Sequence, residues 1–339
     1  MKIPLPCFGL RCLVVLFVTA ACVPLGAAER PRKLLVVTVT TGFRHASIPT
    51  AEKILAQLAQ ESGKFTVDFI HQPPGQPKKP AISRELKENP FAPAQRAALQ
   101  KYVREDEEFA FANQKWIEAV AVSLRKLSPA NLKAYDGVIF ASTTGDLPLP
   151  DKQGFLNWIA DGHAFIGLHS ATDTFHGFPA YIEMIGGEFK THGPQVAVDC
   201  LNQDPTHAAV QMLPSTWPVF DEIYQFKNFY RGKVRGLLTL DKHPNDKSPG
   251  DYPVAWCKQI GTGRMFYTSL GHRNDLWDPT AAEGGKRMNS PATAKLYQQH
   301  VLGGILWSLG LAVGDAKPQT VRHLGDGLPG AGEKKAPKF

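Results

Sequence analysis

The 339-residue chain is poor in cysteine, in net charge outside its ends and in long apolar runs, and each shortage removes a class of protein. Of five cysteines, Cys7, Cys12 and Cys22 stand near the start, so the rest of the chain holds only Cys200 and Cys257. A disulfide scaffold is excluded, and one bridge at most is available. The formal charge of +7 looks basic, yet most of it sits at the ends: Lys2 and Arg11 at one, the Lys/Arg-rich stretch 317–339 at the other. The body between them is nearly balanced and has no Lys/Arg stripe, so it lacks the counterion-release affinity that nucleic-acid binding needs. With 43% hydrophobic and 20% charged residues, the chain matches neither a disordered protein nor a membrane bundle.

The apolar run that does exist, Cys12-Leu-Val-Val-Leu-Phe-Val-Thr-Ala-Ala-Cys22, follows Lys2 and Arg11 and gives way to the small residues of Leu25-Gly-Ala-Ala28. It is shorter than the ~20 residues a membrane span requires. Residues 1–28 therefore read as a secretory signal that sends the mature chain, without a membrane span, to the periplasm or the exterior. Thr19-Ala-Ala-Cys22 leaves open a lipoprotein anchored at Cys22. One domain is expected over residues 29–315, and the Gly/Pro/Lys tail 316–339 is expected to be disordered.

Lys33-Leu-Leu-Val-Val-Thr-Val-Thr40 is a continuous β-branched run, as in a strand buried on both faces, and it enters the loop Thr41-Gly-Phe-Arg-His-Ala-Ser47. A helix is expected next, capped by Ser47 or Thr50, with Ile54, Leu55, Leu58 and Ala59 at helical spacing and Ser62-Gly63 as its stop. Phe65–Ile70 alternates as a second strand. From Gln72 to Lys126 a Pro-rich stretch and then a charge-rich amphipathic segment break the pattern; they read as an insertion that pads the surface or lids the site. Strands are expected again at 135–141 and 164–168, around a helix at 150–161. More follow at 196–201, 236–240, 254–257 and 264–270, before a final helix at 293–311. This alternation predicts an α/β fold with a mostly parallel sheet covered on both faces, and ligands in such folds sit beyond the carboxyl ends of the strands.

Three of the eleven histidines meet that rule. His45 follows the first strand, His169 ends the strand at 164–168, and His272 follows the strand at 264–270. A single such histidine is more often structural, but three delivered by independent strands to one rim point to function. Gly167-Leu-His-Ser-Ala171 has the form of the turn that presents a nucleophile in G-x-S-x-G enzymes, yet its apex is His169 and Ser170 lies one residue beyond, which argues against an acyl-enzyme. Thr172 and Asp173 are placed to cap the following helix. Asp221 and Glu222 look like a glycosidase pair. Neighbours in an extended segment point apart, however, so either would have to pair with Asp173 or Asp275 across the rim.

Six ordered blocks resemble the signatures of the ThuA-like, or trehalose-utilisation, family: Gly42-Phe-Arg-His45, Tyr135-Asp-Gly-Val-Ile-Phe140, Gly167-Leu-His-Ser-Ala-Thr-Asp173, Gly186-Gly-Glu-Phe-Lys-Thr-His192, Asp221-Glu-Ile-Tyr224 and Gly263-Arg-Met-Phe-Tyr-Thr-Ser-Leu-Gly-His272. The likeness runs from about Lys33 to Leu311. It implies a flavodoxin-like, doubly wound sheet similar to class I glutamine amidotransferases, without their elbow cysteine, whose place His169 takes. The Gln72–Lys126 segment departs from the compact family pattern. The resemblance further implies that His192, His207, Glu222 and Tyr224 converge on the rim with His45, His169 and His272, and that the partner is a small carbohydrate such as trehalose or a related disaccharide.

Two chemistries stay open for such a set. Neutral imidazoles and a carboxylate suit a divalent transition ion such as zinc, with His169, His192 and His272 as ligands. In a metal-free pocket His169, Glu222, His272 and His192 exchange protons with the sugar, while His45, Arg44, Asp173, Tyr224, His207 and Trp277 bind it. Trp277, Phe175 or Tyr224 is the expected stacking partner for a ring face, although Trp277 serves equally well as a core aromatic. The expected protein is an exported enzyme that hydrolyses or isomerises a disaccharide or keto-glycoside. The alternative is a non-catalytic carbohydrate-binding module on the same fold, and a homo-oligomer is compatible with either.

Overall fold

Successive residues of the first strand face opposite sides of one sheet, and both sides are covered. The computed structural model describes Met1 and residues 30–319, so the expected signal segment, the Cys22 anchor and the tail beyond Gln319 lie outside the described residues. The chain divides between Arg30 and Pro31, and the unit from Pro31 onward carries the sheet and the site.

In chain order the elements are β1 (Arg32–Val37), α1 (Ile48–Ser62), β2 (Phe65–Ile70), α2 (Arg84–Glu88), α3 (Arg96–Ser123), α4 (Pro129–Leu132), β3 (Gly137–Ala141), α5 (Lys152–Ala160) and β4 (Ala164–Leu168), then α6 (Pro179–Ile185), β5 (Glu188–His192), β6 (Val196–Asn202), β7 (Thr216–Asp221), β8 (Tyr224–Lys227), β9 (Arg235–Lys242), β10 (Pro249–Ile260), β11 (Gly263–Thr268), α7 (Asn274–Trp277) and α8 (Pro291–Ser308). Nine strands form one sheet in the order β2-β1-β3-β4-β11-β10-β9-β6-β7, and β5 pairs with β8 in a separate ribbon. The first five are parallel and keep the flavodoxin-like order. The other four continue antiparallel.

On one side Leu34, Val36, Ile139 and Ile166 pack under α1 and α8. On the other, Leu35, Val37, Val138, Phe140 and Phe165 pack under α5, α6 and the end of α3. The period-2 alternation of the strands thus fills two cores at once. α1 ends where Gly63 turns left-handed (φ 60) and its N–H returns to Ala59 O at 3.1 Å. Gly304 of α8 faces Phe266, whose ring a Cβ would strike, so this glycine sets how closely the helix approaches the sheet.

Residues 72–126 are more than surface padding. They carry α2 and α3, and the end of α3 buries Trp116 and Val120 in the second core, with Trp116 Nε1 donating to Pro73 O at 3.2 Å. The segment is the crossover from β2 to β3, on the face opposite α1. Neither Cys200 nor Cys257 forms a disulfide; both are buried free thiols. Among the described residues no helix is long and apolar enough to cross a membrane.

Strand direction decides what reaches the site. β10 reverses β11, β9 reverses β10, β6 reverses β9 and β7 reverses β6. β7 therefore ends at the same edge as β1, β4 and β11, and β6 begins there, so Glu222 after β7 and His192 before β6 arrive beside the three histidines. The end of β6, with His207 beyond it, lies at the opposite edge.

Candidate active site

β4 delivers His169 into a left-handed conformation (φ 51), rare for a residue with a Cβ and a mark of a strained, over-determined turn. The turn is fixed from below. Tyr267 donates its hydroxyl to His169 O at 2.7 Å, and Tyr181 donates to Ala171 O at 2.8 Å. Gly167 leaves room for this packing, since a Cβ there would stand 3.0 Å from Tyr267 Cδ2. The imidazole is fully buried, and its Nδ1 lies 2.7 Å from Ser269 O. A carbonyl only accepts, so Nδ1 carries the proton and the Nε2 lone pair faces the cluster. Tyr224 Oη donates to that Nε2 at 3.2 Å. Burial, reinforced by His45 and His272, holds the His169 pKa well below its ordinary value, and the ring is neutral.

His45 and His272 close around it, with ring centroids 4.5 Å (His45–His169), 5.2 Å (His45–His272) and 5.3 Å (His169–His272) apart. Their two loops are stitched together: Ser47 Oγ donates to Gly271 O at 3.0 Å, and Thr50 Oγ1 to Asn274 Oδ1 at 2.6 Å. The cap that the sequence assigns to Ser47 or Thr50 is not made by either hydroxyl, because each is engaged by the neighbouring loop. His45 Nδ1 lies 3.3 Å from Ser170 Oγ, but burial lowers the His45 pKa to about 4, which makes it a poor base for that serine. For His272, burial works against the charge, but Glu222 outweighs it and the pKa is raised.

The antiparallel half contributes the carboxylate. Glu222 sets Oε1 3.1 Å from His192 Nδ1, and Oε2 3.2 Å from His272 Nδ1 and 3.9 Å from His169 Nε2. The approach to His272 is not aligned as a hydrogen bond, so the buried His272 Nδ1 makes no hydrogen bond although it lies beside the carboxylate. Asp221 points away from Glu222: its Oδ2 accepts the Gly271 N–H at 2.7 Å and the His272 N–H at 3.3 Å, fixing one loop to the other half of the sheet. Burial pushes its pKa up to about 7 against the pull of those N–H groups. His45, His169, Glu222 and His272 each offer a ligand atom, all within 4.8 Å of one another.

The ThuA family model, described as trehalose utilisation, matches residues 83–308. The chain belongs to the ThuA family. Two solved ThuA-like proteins share the fold. One, from Bacteroides uniformis ATCC 8492, is 18% identical with a TM-score of 0.52, covering 84% of this chain and 94% of that one. The other, from Parabacteroides merdae ATCC 43184, is 16% identical with a TM-score of 0.54, covering 85% and 98%. A search of curated proteins finds no match. ThuA membership brings a carbohydrate-related role, and the matched span holds every member of the cluster except His45.

Several residues expected in this ThuA site lie elsewhere. In the close set of possible ligands His45 stands where His192 was expected; His192 is half-exposed at the mouth and reaches the cluster through Glu222. His207 is buried at the far edge, 5.0 Å from the Trp307 ring and with Nε2 3.5 Å from Cys257 Sγ, because β6 runs the other way. Trp277 is fully buried, donating Nε1 to Gly271 O at 2.9 Å and packing edge-on against Tyr297, so no sugar can stack on it. Phe175 is 1% exposed and equally closed. Arg44 folds back onto Thr38 O and Gln72 Oε1. Asp173 caps no helix and holds His176 Nε2 at 2.7 Å, while Asp275 is taken up by Arg273. Sequence reasoning missed Ser269, which orients His169, and Tyr267, whose hydroxyl bonds a main-chain atom 98 residues away and leaves no local pattern.

Proposed function

We propose that this ThuA protein is an exported enzyme that hydrolyses or isomerises a disaccharide or keto-glycoside at the His45–His169–Glu222–His272 cluster. The observation that carries the reading is the convergence of three imidazoles and one carboxylate, from four separate segments, within 4.8 Å. The donor set fits a divalent transition ion. His169 gives its second ring nitrogen to a backbone carbonyl, as metal-bound imidazoles do, and His272 Nδ1 is buried beside Glu222 Oε2 at 3.2 Å without an aligned hydrogen bond. Such an ion would be held by His45, His169, His272 and Glu222, with the Tyr224 hydroxyl giving up its hydrogen bond to His169 Nε2, and would supply Lewis acidity toward a sugar carbonyl or hydroxyl.

The remaining steps belong to the side chains. Glu222 stands between His192 and His272 and holds or passes a proton at its Oε1. Tyr224, whose pKa burial drives far above the usual phenol value, stays a hydrogen-bond donor at every physiological pH. The family's described role in trehalose utilisation supports a sugar as the reactant.

The test is metal analysis of the purified mature protein, followed by turnover assays on disaccharides and their 3-keto forms. About one bound divalent ion per chain with turnover of a member of that set is the expected result. Saccharide binding without turnover supports the non-catalytic module instead, and neither binding nor turnover overturns the reading.

A further inference from the structure

The aromatic side chains expected to stack on a sugar are closed to it: Trp277 is 0%, Phe175 1% and Tyr224 4% exposed. Phe43 is the opposite case. It belongs to the same loop as His45 and is 66% exposed. Its ring lies 4.8 Å from the His45 ring, edge-on at 79°, so an open apolar surface adjoins the polar cluster. A pyranose has the matching division, with C–H groups on its faces and hydroxyls around its edge.

The loop that carries Phe43 is held firmly. Thr144 Oγ1 donates to Phe43 O at 2.8 Å, and the Thr41 N–H donates to Thr144 O at 3.0 Å. Gly42 makes the approach possible, because a Cβ there would stand 3.1 Å from Thr144 Oγ1. An exposed phenyl on a loop fixed at its main chain loses little freedom when a ligand covers it, which is what a preorganised contact requires.

We infer that Phe43 is the platform on which a pyranose ring of the substrate lies, so that the site takes closed-ring sugars with an unsubstituted apolar face turned toward the His45 loop. This rests on the carbohydrate reading above and adds the residue that selects the sugar. A ring on Phe43 directs its edge toward His45 and the cluster behind it.

The experiment measures the Kd of the saccharide that the wild-type chain selects from a panel of disaccharides and their 3-keto forms, for Phe43→Ala, Phe43→Leu and Phe43→Trp. Metal content and melting temperature of each variant report on the cluster and the fold. The alanine and leucine variants are expected to bind about tenfold to thirtyfold more weakly, and the tryptophan variant within about threefold of wild type, with metal content and melting unchanged. Wild-type affinity in Phe43→Ala or Phe43→Leu overturns the platform while leaving the carbohydrate reading intact. A wild-type chain that binds no saccharide in the panel overturns both.

Discussion

The parallel and antiparallel halves of the sheet build the site by different means. The parallel half supplies imidazoles, each where a continuous apolar strand ends, and buries two of them almost completely: His45 is 5% and His169 0% exposed. The antiparallel half supplies Glu222 from the short link between β7 and β8, where the chain leaves the large sheet for the small ribbon, and His192 from the ribbon itself. Asp221 and Asn289 join the halves; Asn289 exchanges two hydrogen bonds with the Phe220 main chain, at 2.8 and 2.9 Å. Two neutral imidazoles, His45 and His169, are thus preset by one half, and the carboxylate that raises the pKa of the third, His272, is brought in by the other.

Removing that charge should have the largest effect. Glu222→Gln keeps the shape and deletes the antiparallel half's carboxylate, so turnover of the saccharide substrate should fall about 10²–10⁴-fold in steady-state assays while melting stays near wild type. Full turnover would place the chemistry in the parallel half alone.

Next in size is Asp275, fully buried beyond β11, which takes Arg273 on both oxygens at 2.9 and 3.2 Å and the N–H groups of Met288 and Asn289. Asp275→Ala leaves Arg273 without this partner and should lower stability in denaturant by about 3 kcal/mol. Burial raises the Asp275 pKa, but Arg273 and the N–H donors win and bring it to about 2. A folded-state value below the unfolded one, ~3.9, means that the contribution is present above that pH and disappears as pH falls through about 2. The gap between wild type and variant should therefore narrow as pH falls from about 4 to 2; a gap of undiminished size at pH 2 would contradict the assignment.

His192→Ala removes the outer partner of Glu222 and should reduce turnover about 10–100-fold, less than loss of the carboxylate. Equal losses would make His192 a direct participant. The smallest effect is expected at His176, half-exposed, which bridges Asp173 at 2.7 Å on the parallel side and Glu188 at 2.6 Å on the small ribbon. Burial works against its charge, but the two carboxylates raise its pKa. Its stabilising contribution is complete below the unfolded value, ~6.5, and is lost as pH rises through the raised one. The melting-temperature gap between wild type and His176→Gln should accordingly be widest near pH 6 and narrow toward pH 9.

The same division governs what the sequence reveals. β1, β3, β4 and β11 are legible as apolar runs because interior parallel strands bury both faces, the edge strand β2 shows alternation, and α1 and α8 show helical spacing. β7 carries Pro218, tolerated because it is the edge strand of the sheet, β5 is short and largely exposed, and β8 is only four residues long. The histidines at strand ends were therefore visible, whereas the placement of Glu222 came only through family resemblance. His207, which the resemblance implied would join the rim, lies at the far edge because it follows β6, and β6 runs against the parallel strands. Trp277, left open between stacking partner and core aromatic, is a core aromatic, because the one-turn helix α7 turns it inward against Tyr297.

The two thiols have a use of their own. Cys200 lies on β6 and Cys257 on β10, both in the antiparallel half, and burial drives each thiol pKa far above the range in which it would ionise. An alkylating reagent meets neither until its strand leaves the sheet. The rate of labelling at Cys200 and Cys257 under native conditions therefore clocks the opening of the half that carries Glu222, a stopwatch built from the chain's own residues.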